Sequence, residues 1–266
     1  MDVSQTAEDP PIIEALALSK HFGGLCAVEN YSLRLAASDL VGLIGPNGAG
    51  KTTAFNLLSG VVRPGSGQIR LNGRNVGGQK PYQLARAGVA RTFQNSRLFA
   101  GLTVLENVMC GAALQQRTPI FSILLHSPAF RRREAAITER AQQIIAALDL
   151  NALQSQRAGA LAYGQQRRVE IARALAMQPK ALLLDEPAAG LNPSESGALM
   201  ELIRHIHRQF GIGILLVEHD MRLVMNLCLR IQVMSRGRLL CEGSPQEVQN
   251  HPEVIEAYLG KGTVRA

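Results

Sequence analysis

Two short stretches carry side chains whose types and spacing suit phosphate chemistry. Gly45-Pro46-Asn47-Gly48-Ala49-Gly50-Lys51-Thr52 fits the pattern GxxxxGK[ST]. It follows the apolar run Val41 to Gly45 and precedes an apolar turn at Phe55, Leu57 and Leu58, the strand-to-helix context that gives the pattern meaning. Gly45, Gly48 and Gly50, with Asn47 between them, let backbone N–H groups curl around phosphate oxygens, and the helix N-terminus adds partial positive charge at the same spot. In that geometry Lys51 reaches the β and γ phosphates, the Thr52 hydroxyl suits Mg2+, and Thr53 bonds the α phosphate. Leu182-Leu183-Leu184-Asp185-Glu186 supplies the complement, an apolar strand ending in two carboxylates. One can hold a metal's water ligand while the other takes a proton from an attacking water. Asp185 is assigned to Mg2+ and Glu186 to the general base.

The elements that must position these groups alternate between β-type and helical patterns from about Ile12 to Gly260, which predicts an α/β fold. Ile12 to Leu35 and Gln68 to Leu71 read as short strands of an antiparallel layer, broken at Gly23-Gly24. Val41 to Gly45, Ala181 to Leu184 and Gly213 to Val217 are short apolar runs, as expected of parallel strands covered on both faces. Asn192-Pro193-Ser194-Glu195 combines a cap residue, Pro at the first helical position and Glu three residues after the cap, ahead of an apolar face at Leu199, Leu202, Ile203 and Ile206. From Thr103 to Met177 the pattern turns helical, with Ile137, Ala141, Ile144, Ile145 and Leu148 on one face, which predicts a helical subdomain inserted into the α/β core. Ser235-Arg236-Gly237-Arg238 predicts a hairpin, and Pro252 to Leu259 a short helix stopped by Gly260.

Composition narrows the partners. The chain has 266 residues, 46% of them hydrophobic and 18% charged, enough apolar side chain for a sizeable core and too much for a disordered chain. No apolar run approaches the ~18 residues that span a bilayer, and Met1 to Pro11 has neither the cationic nor the apolar region of a secretory signal. A cytoplasmic protein is expected. Cys26, Cys110, Cys228 and Cys241 show no metal-ligand spacing and read as reduced, packed thiols. Lys and Arg exceed Asp and Glu by 28 to 21, a formal charge of +7. With 7 Phe, 4 Tyr and no Trp a base-stacking platform is disfavoured, so no nucleic-acid partner is expected. The basic runs Arg131 to Arg133 and Arg167-Arg168 read as solvated surface, the first also as a face for anionic headgroups or a membrane partner.

Together the motifs resemble the nucleotide-binding subunits of ABC transporters over nearly the whole chain. The resemblance implies a P-loop cassette with an antiparallel β layer and an inserted helical subdomain, binding ATP with Mg2+. It matches Phe22 to the aromatic that stacks on adenine and Gln94, in Arg91-Thr92-Phe93-Gln94-Asn95, to the glutamine that approaches Mg2+ and the nucleophilic water. Leu161-Ala162-Tyr163-Gly164-Gln165 stands at the LSGGQ signature, whose helix N-terminus meets ATP held by the opposite subunit. Ala162 replaces the serine and Tyr163 the first glycine, so that contact falls to backbone N–H groups near Gly164, the helix dipole and Gln165. Ala189-Gly190-Leu191-Asn192 resembles the D-loop, with Asn192 where aspartate is usual, and His219 matches the switch histidine that contacts the γ phosphate.

Within the family, Ala-Tyr-Gly-Gln-Gln-Arg-Arg, Glu-Pro-Ala-Ala-Gly-Leu-Asn-Pro, the insert around Gln115 to Arg133 and the ending Ala257-Tyr258-Leu259-Gly260 are similar to the larger ATPase subunit of branched-chain amino-acid importers. This implies two transmembrane permease subunits, a second homologous ATPase, a periplasmic solute-binding protein and a peripheral place on the cytoplasmic face of the membrane. The expected division is an ATP-binding core at 10–95 and 178–245, a helical signature subdomain at 96–177 and a C-terminal helical extension at 246–266. Three alternatives stay open: a lipopolysaccharide-type exporter, which shares Arg167 to Leu175, a urea or amide importer, and an ABC-type machine acting on nucleic acid, which the lack of a second cassette or heptad run lowers.

Overall fold

A computed structural model describes residues 9–94, 97–115 and 128–259. Its contacts divide the chain into Met1–Pro81 with Ile206–Ala266, and Tyr82–His205. The first unit opens with β1 (Ile13–Phe22) and β2 (Leu25–Leu35), an antiparallel pair longer than the short strands expected from the sequence. Register shifts along β1 accommodate Ala17, which has φ 49°, and keep alternation in step with burial of Ile13, Ala15 and Leu18. β4 (Ser66–Leu71) and β5 (Arg74–Asn75) complete this antiparallel layer in the order β2-β1-β4-β5.

The parallel strands of this unit are β3 (Leu40–Ile44) and β8 (Gly213–Val217), both buried at every position as their uninterrupted apolar sequences require. β9 (Arg230–Ser235) pairs parallel with the other edge of β3, and β10 (Arg238–Gly243) pairs antiparallel with β9 through the expected hairpin. A buried polar network ties β2 to this sheet. Tyr31 donates to Gln232 Oε1 at 2.7 Å, and Gln232 Nε2 donates to Ser32 O at 3.1 Å and Glu242 Oε2 at 2.8 Å. Gln232 is fully buried, so each of these bonds satisfies a group whose desolvation would otherwise cost about 1–3 kcal/mol. α1 (Lys51–Leu58) packs Phe55, Leu57 and Leu58 into the core. α7 (Met221–Leu227), which the sequence reading had not picked out, is capped by Asp220. α8 (Pro245–Gln249) and α9 (Pro252–Leu259) close the described chain, while Gly260, expected to stop the last helix, lies outside the described residues.

The second unit contains the parallel pair β6 (Val89–Arg91) and β7 (Ala181–Asp185), with the helices α3 (Val104–Ala113), α4 (Pro128–Ala147) and α5 (Tyr163–Ala176) between them in sequence. Helix α2 (Pro81–Ala87) precedes β6. α3 starts at a full capping box, Thr103 with Glu106, worth about 1 kcal/mol. Ala141, Ile144 and Ile145 form the buried stripe of α4, as their spacing predicts, and Val104 and Val108 of α3 are fully buried. Of the insert at Gln115 to Arg133, residues 116–127 lie outside the described residues. α6 (Pro193–Phe210) begins at Asn192, whose Oδ1 accepts from Glu195 N at 2.9 Å while Glu195 Oε2 accepts from Asn192 N at 3.0 Å. That is the capping box read from the sequence. Among the described residues no helix is long and apolar enough to cross a membrane. Cys228 is packed, but Cys110 is exposed, so the expectation of packed thiols fails there.

Candidate active site

In the first unit, β3 delivers Gly45 into a loop whose residues then begin α1. Gly45 has φ 149°, and a Cβ there would lie 2.1 Å from Met234 O, so only glycine lets the loop turn this close to β9. Gly50 has φ 99° and caps α1 without a side chain. The loop is held from outside by Gly237 N, which donates to Ala49 O at 2.9 Å, and the hairpin is held in turn by Glu29 N on β2. Asn47, Gly48 and Thr52 are exposed, and Thr53 is half-buried. Lys51 is 8% exposed and folds back over the loop, its Nζ donating to Gly45 O at 2.6 Å and Pro46 O at 3.0 Å. A cavity of about 980 Å³ opens beside Asn47 and Gly48, bordered by Arg236, Arg238, Glu253 and Glu256. The Tyr258 hydroxyl of α9 is buried near the Gly45 backbone. Burial pushes it up to about 12, opposed by the Gly45 amide.

Phe22 ends β1 about half exposed, with Lys20 Nζ 5.3 Å from its ring centroid. A ring left open at a strand end can stack on a base. His219 follows β8 and is exposed. Its Nδ1 lies 3.6 Å from Glu218 Oε2, and Glu218 is buried.

In the second unit, β7 ends at Asp185, and Glu186 turns sharply with φ 44°. A left-handed non-glycine residue is strained, and strain of this kind gathers where a side chain must be aimed. The preceding pair is also built. Asp185 accepts from Arg91 Nη2 at 2.8 Å, and both are largely buried. Burial raises the Asp185 carboxyl above its ordinary value, with Arg91 opposing, while burial lowers Arg91. Thr92 N donates to Leu183 O at 2.9 Å, which fixes the segment after β6 along β7. Gln94 follows, exposed, with Nε2 donating to Glu186 Oε2 at 2.7 Å. Gln94 and Glu186 are thus brought together.

The signature turn begins α5. Ala162 is its N-cap residue in extended backbone and supplies no side-chain acceptor, while Gln165 Oε1 accepts from Ala162 N at 3.2 Å. Gln165 therefore serves its own helix, which the sequence reading had not foreseen. Gly164 lies against Glu195 and Leu191. The larger correction concerns Arg167, expected on solvated surface and found 2% exposed. It ion-pairs with Glu170 at 2.8 Å and donates to Phe93 O at 2.9 Å. Arg91 and Arg167 were missed because each is bonded across 70 or more positions of sequence, to Asp185 and Phe93, and no local pattern records such a partner.

The donor set bears on a metal. A threonine hydroxyl and one carboxylate are hard oxygen donors of the kind Mg2+ takes in small number, alongside phosphate and water. Arg91 engages Asp185 through Oδ2, and a carboxylate has a second oxygen for a metal's water. Thr52 and Asp185, each within its own unit, have the donor chemistry that suits Mg2+.

A glycine loop joining a buried parallel strand to a lysine-threonine helix start defines a P-loop nucleotide-binding α/β protein. Residues 28–189 match the family model described as ABC transporter, and residues 238–263 match that of the branched-chain amino acid ATP-binding cassette transporter. The chain is 48% identical to the high-affinity branched-chain amino acid transport ATP-binding protein LivG of Salmonella typhimurium, over 94% of this chain and 98% of that one. It is 37% identical to the lipopolysaccharide export system ATP-binding protein LptB of Acidithiobacillus ferridurans, over 94% and 97% respectively. Among solved structures it resembles the ADP conformation of MJ1267, an ATP-binding cassette of an ABC transporter, with TM-score 0.82, 30% identity and coverage of 94% of this chain and 99% of that one. The chain belongs to the ABC transporter family of ATP-binding cassettes, whose members are ATPases.

Proposed function

We propose that this chain is the ATP-hydrolysing subunit of an importer for branched-chain or closely related amino acids. The observation that carries the reading is the match of residues 238–263, beyond the general cassette, to the branched-chain family model. The 48% identity to LivG against 37% to LptB favours import over lipopolysaccharide export.

In this reading the chain joins two transmembrane permease subunits and a second homologous ATPase at the cytoplasmic face of the membrane, with a periplasmic solute-binding protein acting from the other side. The work divides among an ATP-binding core at 10–95 and 178–245, a signature subdomain at 96–177 and an extension at 246–266. Phe22 stacks on adenine. The loop amides from Gly45 to Gly50 cradle the phosphates, Lys51 exchanges its loop carbonyls for β and γ oxygens, and Thr53 holds the α phosphate. Thr52 and Asp185, with Gln94 close by, would hold Mg2+, which would supply positive charge beside the phosphates. Glu186 takes the proton of the attacking water, while His219 and the opposite subunit's signature helix steady the transferred phosphoryl group.

The test is to solubilise membranes containing the tagged chain, identify the subunits that follow it, and measure ATP hydrolysis of the complex with solute-loaded binding protein. Stimulation by leucine, isoleucine or valine is expected. Co-purification with lipopolysaccharide-export subunits, or stimulation by urea or amides alone, contradicts the assignment.

A further inference from the structure

The signature turn carries a tyrosine where a glycine is usual, and none of the roles above uses it. The Tyr163 hydroxyl accepts from Arg167 Nη2 at 2.5 Å, and the Arg167 guanidinium lies 5.0 Å from the Tyr163 ring centroid. The same ring lies against the D-loop. A Cβ on Gly190, whose φ is 79°, would stand 3.3 Å from Tyr163 Cε1.

From the turn, Arg167 reaches inward. Its Nη1 donates to Phe93 O at 2.9 Å and Glu170 Oε2 at 2.8 Å, and its Nη2 also donates to Gln94 O. Glu170 Oε1 accepts from Arg97 N at 2.9 Å, and the Arg97 guanidinium covers the Phe93 ring at 4.1 Å. One buried ion pair of the signature helix thus holds the segment carrying Gln94 from both of its described sides. Arg167 Nε is buried with no acceptor among the described residues, so the Nη bonds carry the whole guanidinium. The chain of contacts continues through the Gln94 side chain to Glu186 Oε2 at 2.7 Å. Buried cations tolerate little rearrangement without a replacement acceptor, so a shift at either end moves the other.

We propose that Tyr163 is a positioning residue which, through Arg167 and the Phe93 and Gln94 carbonyls, sets the Gln94 side chain on Glu186. This rests on Glu186 being the general base and deepens that reading. It makes the signature turn, which serves one ATP, a control on the base that serves the other. The two sites of a closed pair are coupled through a path separate from the D-loop backbone.

The experiment is a double-mutant cycle on ATP hydrolysis by the full-length chain assembled with the membrane subunits that co-purify with it. Tyr163→Phe removes one hydroxyl and keeps the ring. It is expected to lower kcat about fivefold, with KM for MgATP changed less than about twofold. In a Gln94→Ala background the same change is expected to have no further effect, because the path is already cut. Arg167→Lys, which cannot serve both carbonyls and the hydroxyl in fork geometry, is expected to act in the same direction. Wild-type kcat in Tyr163→Phe, or an equal fivefold loss with and without Gln94, overturns the coupling. A loss in thermal stability with unchanged kcat also overturns it. Glu186→Gln hydrolysing at the wild-type rate would instead remove the reading on which the proposal stands.

Discussion

The Gln94 carboxamide rests on the Glu186 carboxylate, Nε2 to Oε2 at 2.7 Å, across a gap of 92 positions in sequence. Glu186 meets it only because β7 ends one residue earlier and the backbone at Glu186 takes φ 44°. A hydrogen bond from a neutral amide fixes the carboxylate's orientation and leaves its negative charge intact, which is what the general base proposed for Glu186 requires. Gln94→Ala is expected to lower kcat about tenfold while leaving ATP affinity within about twofold, since it removes orientation and no phosphate contact. Steady-state hydrolysis alongside equilibrium binding of a fluorescent ATP analogue separates the two quantities.

Lys51 contributes the opposite signature. Its ammonium holds two loop carbonyls in this structure and has donors enough to hold phosphate oxygens in their place. Lys51→Ala is expected to weaken ATP binding about 10- to 100-fold, the value of one charge-assisted bond of about 1.5–3 kcal/mol. Calorimetric titration with MgATP measures it directly.

Ala162 caps the signature helix without a side-chain acceptor. Ala162→Ser is expected to stabilise the chain by about 0.5–2 kcal/mol, because a serine hydroxyl can accept from the orphan N–H groups of the first turn. It is also expected to strengthen ATP-dependent dimerisation by supplying the hydroxyl that the proposed signature contact with the opposite subunit's ATP lacks. Urea unfolding and sedimentation with MgATP read the two effects, and unchanged dimerisation would show that the lost hydroxyl costs nothing.

The Cys228 thiol is 5% exposed, and burial pushes it from its usual 9.0 up to about 12. The folded chain therefore keeps a proton that the unfolded chain releases between these values. Stability from this group is complete below pH 9 and falls as pH rises through the window. Relative to Cys228→Ala, the wild-type chain is expected to lose about 1 kcal/mol between pH 8 and pH 10. Urea unfolding of both proteins at each pH tests the difference, which cancels the buried tyrosines they share.

Much of the site was legible because its parts are local. The loop from Gly45 to Thr52, the carboxylates ending β7 and the Asn192 capping box each declare themselves within eight residues. The long β1 and β2 strands were half legible, since the bulge at Ala17 breaks alternation and makes one strand read as shorter pieces. Arg167 was misread for a physical reason. Beside Arg168 in a basic run it has the local look of a surface residue, and the Phe93 and Gln94 carbonyls, met only after folding, complete with Glu170 and Tyr163 the acceptors that make a buried guanidinium tolerable. The positive balance of the chain is thus partly structural.

The central claim is that Glu186 activates the water that attacks ATP bound at the P-loop. The most direct measurement is single-turnover hydrolysis of labelled ATP by the assembled complex carrying Glu186→Gln. ATP should bind with near wild-type affinity and remain occluded in a closed pair, with hydrolysis slowed about 100-fold or more. Turnover at the wild-type rate, with no retained ATP, would contradict the account.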